Sequence, residues 1–371
     1  MRKVLIINRF YGYGTSSGGP VFSIRNLLRE ISTDHKISTF SLSEDFEKTT
    51  NISSVNKDFV FPNIENIFEG KGLSFFSKLY KRYNLIKNND LIYLNSFFDI
   101  WFTLSFVLIN TLFLNKTLVI SPRGELMRGA LSIHKHRKLI FIFLFKLLNL
   151  NRFITFHFTS NDEFIDALLI FPSISYFILP NMVSKPACRS NQVSSRSSIR
   201  VLYLSRITPK KGLLYAIELL SNFPSISLDI YGAIDDFDYY SKCLALSNST
   251  NIICSYKGHM DLSNINFNDY VFSILPTHGE NFGHSIYDSL SNGLPVVIGA
   301  STPWFKAVSN SKSSCILSFN KDSDLNSLKS LFNFLISNPE KSREESLKIS
   351  YNSFKLNDIH SRLYSAYFDN L

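Results

Sequence analysis

Glu280 and Asp288 lie in the segment of the chain that is richest in residues able to bind a ligand, PTHGENFGHSIYD. This segment follows the apolar run Val271–Leu275 and leads into a helix pattern that has Gly283 near its start. Backbone N–H groups at the start of a helix can hold a phosphate. The two carboxylates can then reach different parts of the same ligand. The alternative interpretation is that both are ordinary acids at a helix start and on a surface.

A second candidate anion site follows the apolar run Val201–Leu204. Arg206 and Lys211 flank a proline turn there, in the sequence SRITPKKG. Arginine offers a two-pronged donor and lysine a compact charge, a combination that suits a diphosphate. A solvated basic loop is the alternative interpretation of the same residues.

Glycine is concentrated in a third loop, between the apolar run Val4–Ile7 and the helix pattern Val21–Ile31. Four of the 15 glycines fall between residues 12 and 19. Glycine lets the backbone approach a ligand closely, and the helix start that follows favours an anion. The spacing differs from GxGxxG, which disfavours a nicotinamide-dependent enzyme. A flexible turn explains the glycines equally well.

These three loops follow short apolar runs, and such runs recur along the chain with helix-length segments between them. They include Val4–Ile7, Leu91–Leu94, Leu118–Ile120, Phe153–Phe156, Val201–Leu204, Ser227–Tyr231, Val271–Leu275 and Val296–Ile298. Apolar runs without alternation indicate parallel strands that are covered on both faces. The sequence therefore predicts the α/β class, with doubly wound sheets that bind ligands at the carboxyl ends of their strands.

The polar segment Ser190–Ser198 separates the two sets of predicted strands and has the composition of a linker. A length of 371 residues fits two domains at roughly 100–200 residues each. We predict two Rossmann-like domains, at 1–185 and 199–355, joined by a linker at 186–198 and facing each other across a cleft. Glu340–Leu371 is helical in pattern. We expect a C-terminal helix at 356–371 that packs back on the first domain.

Composition excludes several classes of protein. A hydrophobic content of 45% is too high for a disordered chain. The net charge of +9 is concentrated before residue 186, where 22 basic residues face 14 acidic ones, against 17 and 16 afterwards. The basic residues are scattered without a zinc-ligand or RNA-binding pattern, so we expect no nucleic acid partner. Four cysteines without CxxC spacing indicate a reducing compartment, without a disulfide framework or a metal site.

One stretch, Ile100–Leu114, is apolar enough to be considered as a membrane span. Its fifteen residues fall short of the ~20 that a spanning helix needs, so we predict a buried or interfacial helix and a soluble or peripheral protein. The start MRKVLIINRF has too short an apolar run for a signal peptide and suits a buried strand. Four histidines are expected at the surface: His35, His134, His136 and His360.

Together these motifs resemble the retaining glycosyltransferases of the GT-B fold, and the chain is similar to glycosyltransferase family four. Glu280–Asp288 resembles the E-x7-E motif of that family, and the continuation to Trp304 (SLSNGLPVVIGASTPW) resembles the small-residue helix, GxPV strand and TPW ending of the same motif. Ser205–Gly212 resembles its Arg-x4-Lys-Gly phosphate site. Ser121–Glu125 (SPRGE) and His157–Glu163 (HFTSNDE) resemble a subgroup that builds bacterial surface polysaccharides.

The resemblance implies a role for each matching residue. Glu280, Arg206 and Lys211 would be the catalytic group, with the two cations on the diphosphate and Glu280 on hydroxyls of the donor sugar. The donor would also contact the ribose-binding Asp288, the phosphate-binding backbone of Asn281, Phe282, Gly283 and His284, and, from the other domain, Gly18 and Gly19. Asp288 departs from the motif glutamate by one methylene, which loosens the expected ribose contact. On the acceptor side Arg123 replaces the histidine of many members, and Glu125 is the candidate base.

The function that the resemblance implies is metal-independent hexosyl transfer with retention. The donor substrate would be a nucleoside-diphosphate sugar, with no cofactor, and the acceptor a lipid-linked glycan of O-antigen, lipopolysaccharide or capsule synthesis. We expect a cytoplasmic protein at the inner face of the membrane. Basic residues near the apolar run Leu139–Leu148 suit that anionic surface: Arg128, Lys135, Arg137, Lys138 and Lys146.

Two other functions fit parts of the same pattern. A sugar-nucleotide epimerase of the GT-B fold needs the diphosphate site but no acceptor. A non-enzymatic, membrane-associated assembly factor needs only the basic half of the chain. The sequence leaves open the donor sugar, the nucleobase, the acceptor, the linkage and the oligomeric state.

Overall fold

The computed structural model describes residues 2–9, 19–32, 34–42, 64–69, 74–132, 134–186, 199–250, 252–258, 260 and 262–371. The chain divides into two compact units. The first comprises Met1–Met182 together with Leu356–Leu371, and the second comprises Val183–Lys355. Most of the predicted linker lies outside the described residues.

The first unit contains a parallel sheet of seven strands in the order β3-β2-β1-β4-β5-β6-β7. The strands are β1 Lys3–Ile7, β2 Lys36–Leu42, β3 Ile64–Glu69, β4 Leu91–Leu94, β5 Thr117–Ile120, β6 Thr155–Phe158 and β7 Ser175–Ile178. The central β1 and β4 are apolar and buried almost throughout, because helices cover both faces of the sheet.

Helices of the first unit occupy both faces of this sheet. They are α1 Gly19–Ile31, α2 Phe75–Lys87, α3 Ser105–Ile109, α4 Arg128–Leu131, α5 Lys135–Leu147, α6 Asn161–Ile170 and the C-terminal α13 Asn357–Asn370. The core against one face contains side chains of α1 and α13, including Ile24, Tyr364 and Phe368. The core against the other face contains side chains of α2, α3, α5 and α6.

The second unit contains a parallel sheet of six strands in the order β10-β9-β8-β11-β12-β13. The strands are β8 Ile199–Leu204, β9 Ile226–Tyr231, β10 Ile253–Gly258, β11 Phe272–Leu275, β12 Val296–Gly299 and β13 Cys315–Leu317. Its helices are α7 Leu213–Leu220, α8 Phe237–Asn248, α9 His284–Ser291, α10 Phe305–Ser309, α11 Lys321–Ser337 and α12 Pro339–Lys355. The predicted α/β class with doubly wound sheets is therefore confirmed.

Two sequence expectations require correction. The run Phe153–Phe156 is only partly a strand, because a 3-10 turn at Leu150–Phe153 precedes the strand Thr155–Phe158. His35 is buried rather than exposed, because Phe368 of α13 packs over it with ring centroids 6.0 Å apart. His134 and His136 are exposed, as predicted.

The stretch Ile100–Leu114 is helical, with π-helical turns at Ile100–Leu104 and Asn110–Leu114 on either side of α3. Asp99 caps its start by accepting hydrogen bonds from the backbone N–H groups of Trp101 (2.9 Å) and Phe102 (2.8 Å). Phe102, Phe106 and Val107 lie in the core, whereas Leu112 and Phe113 are exposed, so the stretch is buried on one side only. Among the described residues, no helix combines the length and the apolar character needed to cross a membrane.

Candidate active site

The loop after β8 lies directly against the loop after β11, because these two strands are neighbours in the sheet. Gly212 makes the contact possible. Its φ is +72°, and a Cβ at this position would lie 2.1 Å from the carbonyl oxygen of Pro276. The backbone N–H of His278 donates to the carbonyl oxygen of Lys210 at 2.9 Å. The two loops that carry the predicted anion sites therefore form one surface.

The loop after β11 is also tied to the loop after β12. The backbone N–H of Glu280 donates to the carbonyl oxygen of Ser301 at 3.1 Å. A Cβ on Gly299 would lie 2.2 Å from the carbonyl oxygen of Thr277, so this close approach requires glycine. Backbone contacts on both sides thus fix the position of Glu280.

An ion pair between Lys211 and Glu280 lies where the two loops meet, with Lys211 Nζ donating to Glu280 Oε1. The side chains are only 16% and 11% exposed, so water screens the pair weakly. Two of the three predicted catalytic residues therefore meet, although they lie 69 positions apart in the sequence.

Arg206, the third predicted catalytic residue, lies outside this pair. Its guanidinium donates to the carboxylate of Asp235 at 2.8 Å, and its side chain is 67% exposed. Its charge nevertheless reaches the same loop, since Arg206 contributes to lowering the pKa of Lys210.

Lys210 belongs to the same group of charges, although no role was predicted for it from the sequence. Burial lowers the pKa of its ammonium, the charges of Lys211 and Arg206 lower it further, and Glu280 opposes the change. Its Cε lies 3.7 Å from where a Cβ on Gly279 would be, so the side chain runs along the loop after β11. The sequence feature that could have identified Lys210 is its position next to Lys211, in the same turn.

Helix α9 begins beside this group of charges. Its N-cap is Gly283, with φ +80°, and no side chain caps the helix start. Trp304 holds the preceding backbone: its indole N–H donates to the carbonyl oxygen of Phe282 at 2.6 Å, and the two rings pack edge to face with centroids 5.5 Å apart. A helix start with this construction carries partial positive charge, which suits a phosphate.

Asp288 lies in the second turn of α9 and is half-buried. Burial alone raises the pKa of its carboxyl from 3.8 to about 7. Near neutral pH this group therefore exists in both protonation states, and it can donate a hydrogen bond to a hydroxyl as well as accept one. The neighbouring Tyr287 donates to the carbonyl oxygen of Ser184 and so anchors the helix.

The predicted acceptor-side residue Arg123 follows β5 with φ +52°, a conformation that is unfavourable for residues other than glycine. Its guanidinium donates to Asn95 Oδ1 at 2.7 Å, to the hydroxyl of Tyr93 at 3.0 Å and to Asn181 Oδ1. All three partners are neutral.

Glu125, the candidate base, lies partly buried below the loop that follows β4. Its carboxylate accepts hydrogen bonds from the hydroxyl of Ser96 (2.8 Å) and from the backbone N–H groups of Phe97 (2.6 Å) and Phe98 (3.2 Å). Burial raises the pKa of this carboxyl, and the hydrogen bonds partly offset the rise. The geometry makes Glu125 a clasp for this loop, because three of the roughly four acceptor sites of its carboxylate hold the loop residues.

His157 and Glu163, the first and last residues of the segment HFTSNDE, support the turn at Arg123 from below. His157 is fully buried; its Nε2–H donates to the carbonyl oxygen of Leu179 at 2.9 Å, and Nδ1 accepts from the hydroxyl of Tyr93 at 2.6 Å. Burial and the charge of Arg123 keep the pKa of His157 well below its usual range, so the ring is neutral. Glu163 accepts from the backbone N–H of Gly124.

The glycine loop contributes no described geometry. Gly18 lies outside the described residues, and Gly19 is the first residue of α1.

The part of the chain that carries the loops after β8 and β11 is similar to known proteins. Residues 185–354 match the family model described as glycosyl transferases group 1. A segment of 127 residues is 28% identical to the poly(glycerol-phosphate) alpha-glucosyltransferase of Bacillus subtilis (strain 168). That segment is 33% of this chain and only 19% of the relative's length.

Solved structures resemble the whole chain. Sucrose-phosphate synthase from Thermosynechococcus elongatus matches with a TM-score of 0.73 at 14% identity, over 100% of this chain and 99% of its own. HepE of Anabaena in complex with UDP-glucose matches with a TM-score of 0.72 at 13% identity, over 100% of both chains. Likeness at such low identity establishes the fold alone. Residues 185–354 thus form a glycosyl transferases group 1 domain, in a chain that has the GT-B fold of glycosyltransferases.

Proposed function

We propose that this protein transfers a hexose, with retention, from a nucleoside-diphosphate sugar to a lipid-linked glycan in the synthesis of a bacterial surface polysaccharide. The observation that carries the proposal is the Lys211–Glu280 ion pair, which lies beside the uncapped start of α9. A cation for the diphosphate and a carboxylate for the sugar hydroxyls are thereby held at the carboxyl end of one sheet.

The difficult step of such a transfer is the build-up of negative charge on the departing diphosphate. Lys211 and Lys210 bring positive charge to the loop after β11, Arg206 lies close enough for its charge to act on Lys210, and α9 adds its partial charge. Charges that are already in position stabilise a developing anion without reorganisation. We infer that these groups make a divalent metal unnecessary.

Donor binding requires the ion pair to exchange partners. In our proposal Lys211 turns from Glu280 to the diphosphate, and Glu280 is released to hydroxyls of the sugar. The backbone of residues 281–284 holds the phosphate, and Asp288 takes the ribose hydroxyls. The leaving phosphate oxygen then accepts the proton of the attacking hydroxyl on the same face of the sugar, which gives retention without a protein nucleophile.

The names of similar proteins support the class of substrate. HepE binds UDP-glucose, and the Bacillus relative is named for glucosyl transfer to poly(glycerol-phosphate). WaaB, a lipopolysaccharide outer core galactosyltransferase, matches with a TM-score of 0.63 at 15% identity over 100% of both chains. We propose a UDP-hexose donor and a cytoplasmic location at the inner face of the membrane, where a lipid-linked acceptor is presented.

A panel of nucleoside-diphosphate sugars tests this proposal by thermal shift. A donor at about 100 times its dissociation constant stabilises the folded protein by about 2.7 kcal/mol and raises its Tm. We expect a rise with one or more UDP-hexoses. Incubation with the donor alone should give only slow hydrolysis, whereas isomerised sugar would identify an epimerase. The absence of a shift with every nucleotide tested would favour a non-enzymatic assembly factor.

Replacing Lys210 with alanine is expected to weaken UDP binding by about tenfold, the equivalent of roughly 1.4 kcal/mol. The reason is the loss of a half-buried cation from the loop that would hold the diphosphate. Isothermal titration with UDP measures the effect, and Lys306→Ala, an exposed lysine of α10 in the same unit, is the control. Equal affinities of the two variants would remove Lys210 from the site.

A further inference from the structure

Helix α5 of the first unit presents large apolar side chains to both the core and the solvent. Phe141, Ile142 and Phe145 are buried and fix the helix against the sheet. Six other large apolar side chains point outward, each between 45% and 63% exposed. We call them the α5 ridge: Leu139, Ile140, Phe143, Leu144, Leu147 and Leu148.

The ridge is a continuous feature of the surface. At about 100° per residue the five ridge members within α5 cover roughly 140° of its circumference, opposite the three buried residues. Leu148 directly follows the helix. Exposed apolar residues that occur singly are normal, whereas a contiguous exposed patch marks a site of interaction. The inward residues keep α5 in place, so the ridge cannot turn into the core.

The charges that flank the ridge along the chain are of one sign. From Leu126 to Asn161 the chain contains no Asp or Glu and six Lys or Arg residues. In the helical projection Lys135 and Lys146 border the ridge on one side and Arg137 on the other, and all three are exposed. This arrangement is typical of helices that lie in a membrane interface, with basic side chains at the level of the headgroups.

Three members of the predicted basic cluster have contacts within the unit. The ammonium of Lys146 lies 5.5 Å from the centroid of the Phe171 ring. Arg128 forms an ion pair with Asp166 at 3.1 Å. Lys138 donates to the carbonyl oxygen of Ala130 at 2.7 Å and lies over the ring of Phe98. Fewer basic residues are thus available to attract an anionic membrane than the sequence indicated. Burial of the apolar ridge must therefore contribute more of the binding.

We propose that α5 lies in the plane of an anionic phospholipid bilayer with its ridge inserted below the headgroups. This deepens the proposed function, because it names the element and the force that place the first unit on the membrane. A second copy of this chain is a poorer occupant. In a two-fold dimer the basic borders of one ridge would meet those of the other, and like charges would repel.

Vesicle cosedimentation of the full chain tests the insertion. Probes are vesicles of phosphatidylglycerol and phosphatidylcholine, at low salt and at 0.5 M salt, where charge attraction is screened. Wild type is expected to remain bound at high salt. Ile140→Ser with Phe143→Ser should lower its partition coefficient at least about tenfold, a change of roughly 1.4 kcal/mol. The matched control is Ile336→Ser with Phe237→Ser, which alters apolar residues of the second unit that are 64% and 72% exposed.

A tryptophan at the ridge gives a second readout that does not depend on affinity. Brominated lipid chains should quench the tryptophan fluorescence of Phe143→Trp more than that of wild type, which contains Trp101 and Trp304. Loss of wild-type binding at 0.5 M salt, or no added quenching, would overturn the insertion. The insertion would also be overturned if wild type were a dimer in sedimentation velocity, the ridge variant were a monomer, and the vesicle binding of that variant were unchanged.

The same variants separate this inference from the proposed function. Ridge variants should keep the thermal shift with UDP-hexoses, because α5 belongs to the unit that lacks the Lys211–Glu280 pair. If wild type binds vesicles through the ridge but binds no nucleotide, the insertion stands and the proposed function fails. If nucleotide binds and the ridge does not insert, the reverse holds.

Discussion

Replacing either Lys211 or Glu280 with alanine is expected to lower sugar transfer by at least about 10²-fold, the scale of losing one charge-stabilising group. Lys211→Ala removes a cation from the departing diphosphate and leaves the mostly buried Glu280 carboxylate without its partner. Glu280→Ala removes the group that would hold the donor sugar. The measurement is release of UDP in the presence of donor and acceptor, with kcat and KM determined separately.

A second lysine–glutamate pair in the same unit provides the control. Lys321 Nζ lies 2.8 Å from Glu218 Oε1, with side chains 47% and 41% exposed. Exposed pairs contribute little, so Lys321→Ala and Glu218→Ala should leave the rate of transfer unchanged. Because Lys211 and Glu280 act on one ligand, the double variant should lose less than the product of the single losses. Near-normal turnover of either single variant, with a wild-type Tm, would refute the assignment.

Asp288→Asn is expected to stabilise the protein at pH 8 and to weaken the binding of UDP. The pKa of Asp288 rises from 3.8 to about 7 on folding because the carboxyl is buried. Asp288 therefore binds its proton more tightly in the folded protein than in the unfolded chain. As a result, the free energy of unfolding of wild type falls as the pH rises from about 4 to about 7. Asparagine does not ionise, so the variant does not lose this stability. The free energy of unfolding at stake is at most about 4 kcal/mol.

Thermal unfolding at two pH values measures this effect. The Tm difference between Asp288→Asn and wild type should be several degrees at pH 8 and should shrink towards zero near pH 4. The affinity for UDP, measured at pH 8, should be lower in Asp288→Asn than in wild type, because the ribose hydroxyls lose a carboxylate partner. A Tm difference that is the same at both pH values would contradict the raised pKa.

Most of the inner strands of both sheets were predictable, and the strands at their edges were not. β1, β4, β8 and β11 lie inside the sheets, where burial on both faces leaves an uninterrupted apolar run. The strands that the pattern did not single out include all four at sheet edges, and β10, with the sequence ICSYKG, is half polar. An edge strand has one partner and faces solvent, so its sequence loses the signal.

The meeting of Lys211 with Glu280 could be anticipated from topology, since both follow parallel strands and those strands are neighbours. The pairing of Arg206 with Asp235 could not, because it depends on the path of the loop after β9. The burial of His35 was hidden for a related reason. Its cover comes from α13, more than 300 positions away along the chain, and no local pattern records such a distance.

The return of α13 to the first unit sets an order of events during synthesis. Tyr364 and Phe368 fill the core beside β1 and β4, and they leave the ribosome only after the whole second unit has been made. Domains generally fold as they emerge, so the second unit can be complete while the first still has an open face. The first unit is therefore the last to finish, and a nascent chain must keep the uncovered face of its sheet from aggregating until residues 356–371 arrive.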